Sequence, residues 1–122
     1  MIEEIPAVVW PRDGGWKVVQ LYLDGKPYLR FAETVVGWHA SILERFLVSN
    51  NIEYKKKEIS FDYSRPEQES ERYKATGMGE AKIDNVLKKA SFFGRSIAYK
   101  IGIDQNHLNL IRQLFPDWTI ES

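Results

Sequence analysis

His39 stands at the start of a helical pattern, where its imidazole could take part in anion chemistry. Trp38, Ile42 and Phe46 recur at helical spacing directly after Gly37. His39 therefore lies in a first turn whose free N–H groups and dipole favour an anion. The dipole disfavours a charged imidazole, so we expect a neutral ring with a lone pair near pH 7. Phosphoryl chemistry is one reading of this arrangement, and a polar residue bonded to a backbone carbonyl is the other.

A predicted β-hairpin brings two cations together. The dipeptide Asp24-Gly25 separates two β-rich segments and favours a two-residue type I′ turn. The register that follows pairs Val19 with Arg30, which makes Lys17 and Arg30 diagonal neighbours on one face. The two side chains could bind one anion together. Two solvated charges on an exposed sheet face are the alternative.

The composition limits the possible classes of protein. The chain has 122 residues, of which 43% are hydrophobic and 13% aromatic, and this predicts one folded domain. Lysine plus arginine equals aspartate plus glutamate at 17 each, so nucleic acid and membrane partners are not expected. There is no cysteine and there are two histidines, so no metal or other cofactor is expected. Without a visible secretory signal or an apolar run of membrane-spanning length, a soluble cytoplasmic protein is expected. A monomer is expected as well.

The middle of the chain contains three polar or flexible patterns. Lysines 55–57 indicate a solvated strand, with a nucleic-acid-binding surface as the alternative. Residues 64–71 form the most polar stretch and predict a mobile loop without a part in the chemistry. The sequence Gly77-Met78-Gly79 would let backbone N–H groups approach a phosphate, although such a pattern is more often a turn or bulge.

The last third of the chain predicts a strand and a second helix. Residues 90–99 indicate a strand interrupted at Gly94. Asp104 is a plausible N-cap for the helix that follows, and Pro116 ends that helix. His107 falls in the first turn of this helix and is expected to be a surface or capping residue.

The order of these features resembles the Janus family, whose best-characterised members are protein phosphohistidine phosphatases. The resemblance covers residues 5–120, and its most specific parts are His39-Ala40 at the helix start and residues 88–120. The family's Gly-x-Ser-x-Ala-Tyr spacing is kept by Gly94, Ser96, Ala98 and Tyr99. The family's Pro-Asp-Tyr ending is similar to Pro116-Asp117-Trp118.

The resemblance implies an α+β fold, in which a mixed and mostly antiparallel sheet is flanked by two helices. It also implies that His39 is the active-site histidine and that Lys17 and Arg30 bind phosphate. The backbone amides that it implies at the same site belong to His39, Ala40, Ser96 and Ala98. These residues are therefore expected to converge on one small basic pocket.

The activity implied by the resemblance is metal-independent hydrolysis of phosphohistidine in a protein or peptide. His39 would attack phosphorus or deprotonate a water molecule, and the sequence leaves both routes open. The alternative is a module of the same fold that binds phosphate or a phosphoprotein without turnover. Recognition needs only cations and backbone donors, whereas turnover also needs the histidine.

Overall fold

Nine strands and two helices occur in the residues that the computed structural model describes, which are 4–33, 38–61 and 63–122. In chain order they are β1 (Gly14–Leu23), β2 (Lys26–Glu33), α1 (His39–Ser49), β3 (Lys56–Ser60), β4 (Tyr63–Pro66), β5 (Tyr73–Asp84), β6 (Lys89–Phe93), β7 (Arg95–Ser96), β8 (Ile101–Gly102), α2 (Gln105–Leu114) and β9 (Thr119–Glu121). Neither helix is long and apolar enough to cross a membrane.

The main sheet has five strands in the order β2-β1-β5-β6-β9. Its neighbours are antiparallel except β6 and β9, which are parallel. Two further antiparallel pairs, β3–β4 and β7–β8, lie outside this sheet. The predicted α+β fold with a mixed, mostly antiparallel sheet is confirmed.

Each face of the sheet is covered by one helix, because neighbouring side chains on a strand point to opposite faces. On β1, Val19 belongs to a core that contains Leu43 of α1. Val18 belongs to a second core that contains Ile111 of α2. All four side chains are completely buried. Lys17 has the same parity as Val19 and therefore lies on the face that carries α1.

The hairpin and the first helix form as predicted. Asp24 and Gly25 both have positive φ, 50° and 81°, as a type I′ turn requires. The resulting register pairs Val19 with Arg30. Helix α1 ends at Ser49, and two residues later Asn51 adopts the left-handed conformation with φ of 56°. The predicted strand end and glycine break at 35–37 lie outside the described residues.

The prediction of a mobile loop at residues 64–71 is wrong for the first part of that stretch, which forms β4. The rest is held by specific hydrogen bonds. Tyr73 Oη donates to the carbonyl of Glu67 at 2.7 Å, and Gln68 Nε2 donates to the carbonyl of Ala75 at 2.8 Å. Polarity alone misled the prediction, because these polar groups find partners on β5, which follows them in the chain.

The expectation that His107 is a surface or capping residue is also wrong, since its side chain is completely buried between α2 and the sheet and the helix is capped by Asp104. Its Nε2–H donates to the carbonyl of Leu21 at 3.1 Å, and its Nδ1 accepts from Gln20 Nε2 at 3.2 Å. Gln20 Oε1 also accepts the backbone N–H of Asp104, the predicted N-cap, at 2.7 Å. Burial lowers the pKa of His107, so this neutral tautomer is the stable one.

Glycines 77 and 79 lie inside β5 and not in a turn, and the register of β5 with β1 shifts beside Gly77, where Gln20 pairs with Gly77 and Leu21 with Ala75. This irregularity agrees with the bulge that the glycine pattern suggested as an alternative. A Cβ on Gly77 would be 1.9 Å from Gln20 Oε1. A Cβ on Gly79 would be 2.5 Å from the carbonyl oxygen of Phe93. Both glycines therefore allow close packing on the face that carries α2, and the cleft described below lies on the other side of the sheet.

Candidate active site

A cleft of about 450 Å³ opens where α1 begins, between β1, β4, β5 and the segment that follows β6. It brings together five of the six predicted site residues, which are Lys17, His39, Ala40, Ser96 and Ala98. Its other lining residues are Trp38, Tyr63, Glu80, Arg95 and Ile97. Residues that are far apart in the sequence therefore surround one small space.

Arg30 is the predicted phosphate ligand that the cleft does not contain. Its backbone register is as expected, but its guanidinium donates to the carbonyls of Pro6 at 2.7 Å, Ala7 at 3.1 Å and Leu29 at 2.7 Å. Its Cζ also lies 4.9 Å from the ring centre of Phe46. These contacts direct the side chain toward the chain segment before β1, so the prediction that Lys17 and Arg30 bind one anion is wrong.

His39 is held by its Nε2 atom, which lies 2.8 Å from the carbonyl oxygen of Gly79. A carbonyl oxygen only accepts, so Nε2 carries the hydrogen. In the neutral ring the lone pair is then on Nδ1, which has no hydrogen-bond partner among the described residues. His39 thus makes the backbone contact expected of a structural residue and keeps one ring nitrogen available.

The environment keeps the imidazole of His39 neutral. Burial lowers its pKa below the ordinary value of 6.5, and the positive charge of Lys17 lowers it further. The hydrogen bond to Gly79 and the negative charge of Glu80 act in the opposite direction but are outweighed. The lowered pKa agrees with the predicted neutral histidine. Its first cause is burial, whereas the prediction relied on the helix dipole.

The start of α1 offers backbone donors to the cleft. The N–H groups of Ser41 and Ile42 both donate to the carbonyl of Trp38, at 2.9 and 3.3 Å. No side chain caps the helix and its first turn contains no acidic residue. Within the described residues, the N–H groups of His39 and Ala40 therefore have no acceptor, and a helix start of this kind favours an anion.

The second set of donors comes from the turn at residues 97–100. The predicted strand over 90–99 ends at Phe93, because Gly94 has φ of 77° and redirects the chain. Ser96 is 2% exposed, and its Oγ accepts the N–H of Tyr99 at 3.2 Å. The Ser96 hydroxyl thus shapes the turn, and the N–H groups of Ile97 and Ala98 have no acceptor in the described parts of the chain.

The charged side chains of the cleft are Lys17, Arg95 and Glu80. Lys17 and Glu80 are directly opposite each other on β1 and β5. Neither Lys17 nor Arg95 forms an ion pair within the described residues. The sequence analysis missed Arg95, which stands between the two family-like positions Gly94 and Ser96. It also missed Glu80, whose location depends on the pairing of distant strands.

A second cleft, of about 710 Å³, is lined by four glutamates but only one lysine and one arginine. Its negative net charge makes it a poor phosphate site.

Among the described residues, no group of three or more histidine, aspartate or glutamate side chains could hold a metal ion. No protein-family model matches the chain, and no curated protein matches it at a significant level. Its function is therefore inferred from the residues themselves.

Proposed function

We propose that the protein is a metal-independent protein phosphohistidine phosphatase related to the Janus family. The observation that carries the proposal is the position of a neutral His39, with Nδ1 available, in the same cleft as Lys17 and Arg95. The N–H groups of His39 and Ala40, which have no acceptor among the described residues, support it. Cations and backbone donors suit a phosphoryl group, and the histidine adds a group that can react.

Phosphoryl transfer spreads negative charge over three equatorial oxygens. Lys17, Arg95 and the N–H groups of His39 and Ala40 would stabilise that charge without rearrangement. Ser96 would contribute by shaping the turn through its hydrogen bond with the N–H of Tyr99, and Ala98 would contribute its own N–H group beside that of Ile97. Arg30 has no place in this proposal, and Arg95 takes over the role expected of it.

His39 has two possible roles, and both use Nδ1. As a nucleophile, Nδ1 bonds to phosphorus while the N–P bond of the substrate breaks, and the departing imidazole nitrogen takes up a proton. Water then hydrolyses the phosphorylated His39. As a general base, Nδ1 removes a proton from a water molecule whose oxygen bonds to phosphorus while the N–P bond of the substrate breaks, and the proton then passes to the departing imidazole nitrogen. Trapping of phosphate on His39 after mixing with substrate distinguishes the routes.

A phosphate-binding module without turnover is the second candidate. The hydrogen bond from His39 Nε2 to the carbonyl of Gly79 favours this candidate, because it gives the histidine a structural role that needs no reaction. The decisive variants are His39→Gln, whose amide can still donate to Gly79, and His39→Ala, which cannot. An enzyme loses turnover in both variants, whereas a binding module shows no turnover in the native protein. The assay is phosphate release from a phosphohistidine peptide.

The same assay in the presence of a chelator tests metal independence. Native activity that survives chelation supports the proposal, and activity that disappears with chelator and returns with a metal ion contradicts it. If His39→Gln keeps native turnover, His39 is neither nucleophile nor base. Phosphate binding by the two variants, measured by calorimetry, shows whether the cleft remains intact.

The proposal includes a cytoplasmic monomer that acts on phosphohistidine proteins or peptides. Cell fractionation and sedimentation analysis check location and oligomeric state.

The nucleic-acid alternative depends on lysines 55–57, of which Lys56 lies 3.3 Å from the carboxylate of Glu44. Oligonucleotide binding that falls steeply with salt would favour that alternative.

A further inference from the structure

Two aromatic side chains stand at the edge of the candidate active site. Trp38, the residue before His39, is 62% exposed although indole is a large apolar group. Its ring packs edge-on against Tyr63, with 5.4 Å between centroids and 64° between planes. Both residues line the same cleft as Lys17. The mechanism proposed above does not use either ring.

The Trp38–Tyr63 pair is assembled from two distant parts of the chain. Trp38 is the N-cap of α1, and Tyr63 is the first residue of β4 in the β3–β4 hairpin. An edge-on contact restricts the orientation of both rings. Single exposed aromatic residues are common on protein surfaces, but Trp38 and Tyr63 contact each other and both line the cleft.

The cleft combines a cationic part with an aromatic part, and one class of phosphoryl substrate combines a phosphoryl group with an aromatic ring. Lys17, Arg95 and the backbone N–H groups that lack an acceptor in the described parts of the chain suit a phosphoryl group. The aromatic pair suits a flat ring. A phosphorylated histidine has both parts joined by one N–P bond. Phospholysine and inorganic phosphoramidate carry the same kind of bond but no ring. At 450 Å³ the cleft also has room for more than a phosphate group.

We infer that Trp38 and Tyr63 form a platform that contacts the imidazole ring of a phosphorylated histidine and thereby selects ring-bearing phosphoramidates over aliphatic ones. The inference rests on the proposed function for the phosphoryl position. It makes Trp38 and Tyr63 specificity-determining residues. A ring-to-ring contact of this kind corresponds to a preference of about three- to tenfold.

The experiment compares two small substrates, N-acetylphosphohistidine and phosphoramidate, in the native protein and in Trp38→Ala. The variant is expected to lose about three- to tenfold in kcat/KM for N-acetylphosphohistidine and less than about twofold for phosphoramidate. Trp38→Phe, which keeps an aromatic ring, is expected to retain the preference. Phe61→Ala is the matched control, because Phe61 is a fully exposed aromatic residue of the neighbouring turn that does not line the cleft.

A binding measurement separates failure of this inference from failure of the proposed function. Calorimetry compares a triazolylphosphonate analogue of phosphohistidine with methylphosphonate, which has no ring. A native preference for the ring analogue that disappears in Trp38→Ala supports the platform even if the native protein turns over nothing, in which case only the phosphatase proposal fails.

Three results would overturn the inference. In the first, the native protein does not prefer the ring analogue. In the second, Trp38→Ala weakens both ligands equally, which indicates a general effect on the start of α1. In the third, Trp38→Ala changes neither ligand. If Trp38→Ala does not fold, Tyr63→Leu serves in its place with the same expected loss of preference and the same contrary outcomes.

Discussion

The Nε2 atom of His39 lies 2.8 Å from the carbonyl oxygen of Gly79, a residue 40 positions later in the chain. This contact fixes the tautomer of the ring, since the carbonyl must receive a hydrogen. No residue with a side chain fits at position 79 without a shift of its neighbours, because a Cβ there would lie 2.5 Å from the carbonyl oxygen of Phe93 and 2.7 Å from Cδ1 of Ile103. The tight packing around Gly79 therefore holds in place the carbonyl that orients His39.

The first prediction concerns the pH dependence of turnover. Protonation of His39 adds a hydrogen to Nδ1 and removes the lone pair, so kcat/KM should fall as pH drops through the pKa of His39. Because burial lowers that pKa, the fall should begin below the ordinary value of 6.5. Turnover across pH, corrected for spontaneous hydrolysis, provides the measurement.

Two variants that shift the pKa of His39 in opposite directions test whether this pKa controls the fall in kcat/KM. The cation Lys17 lowers the pKa and the anion Glu80 raises it. Lys17→Met should therefore raise the pKa of His39, and Glu80→Gln should lower it. NMR titration of the His39 ring measures both shifts directly. If both variants shift the pKa in the same direction, the charge account is wrong.

The second prediction separates Arg30 from the cations of the cleft. Lys17→Ala and Arg95→Ala should each weaken phosphate binding, because each removes one charge from the site. Arg30→Ala should leave phosphate affinity unchanged and reduce the free energy of unfolding by about 1–3 kcal/mol, since three hydrogen bonds from the guanidinium to backbone carbonyls are lost. Calorimetry and urea unfolding provide the two measurements. If folded Arg30→Ala binds phosphate weakly, Arg30 does contribute to the phosphate site.

The sequence was informative where a short segment decides the outcome. Asp24-Gly25 determines its own turn, and the turn determines the pairing of Val19 with Arg30. Helical spacing and the break before His39 similarly locate the start of α1. The class of fold was predicted correctly, and five of the six residues predicted for one pocket line one cleft.

The direction of a long side chain could not be predicted in the same way. Arg30 has the predicted register, but the carbonyls of Pro6 and Ala7 bind its guanidinium, and their location depends on how the segment before β1 packs. Tyr63 reaches the cleft only because the β3–β4 hairpin lies beside α1. No pattern within either segment contains that information.

The third prediction concerns Gly77 of β5. Gly77→Ala should reduce the free energy of unfolding by about 1–3 kcal/mol, because its Cβ would overlap Gln20 Oε1 and approach the Asp104 amide. Gly15→Ala is the control, since nothing lies within 4 Å of the added atom. Phosphate affinity should be unchanged in both variants. A loss of phosphate binding in folded Gly77→Ala would show that this glycine serves the site.

The fourth prediction concerns residues 64–71, which the sequence indicated to be a mobile loop without a part in the chemistry. A short Gly/Ser turn would remove the acceptors of Tyr73 Oη at Glu67 and of Tyr99 Oη at Pro66. Both are phenols whose burial raises their pKa to about 12. The replacement should therefore lower the free energy of unfolding by more than about 2 kcal/mol.

The matched control for the loop replacement is the double substitution Glu69→Gln and Glu71→Gln. It removes two charges and keeps the backbone contacts, so stability should change by less than about 1 kcal/mol. Urea unfolding of the three proteins decides between the accounts. If the Gly/Ser replacement is as stable as the native protein, the stretch is dispensable as its polarity first indicated.

The last prediction concerns acid stability and the buried imidazole of His107. Burial lowers its folded-state pKa, whereas in the unfolded chain the ring has its ordinary value of 6.5. Above this value neither state binds the proton, so His107 gives stability no dependence on pH. Below it the unfolded state binds a proton that the folded state excludes, and the free energy of unfolding falls with pH. The fall continues until the folded-state pKa is reached.

His39 acts in the same direction, because its pKa is also lowered, so the two contributions must be separated. Urea unfolding between about pH 5 and pH 8 should give a slope of at most about 1.4 kcal/mol per pH unit for each histidine. His107→Gln and His39→Gln should each flatten the curve, whatever their effect on stability at neutral pH. An unchanged slope in His107→Gln would mean that the ring is protonated in the folded protein, and the hydrogen bond from Gln20 Nε2 to Nδ1 would then be wrong.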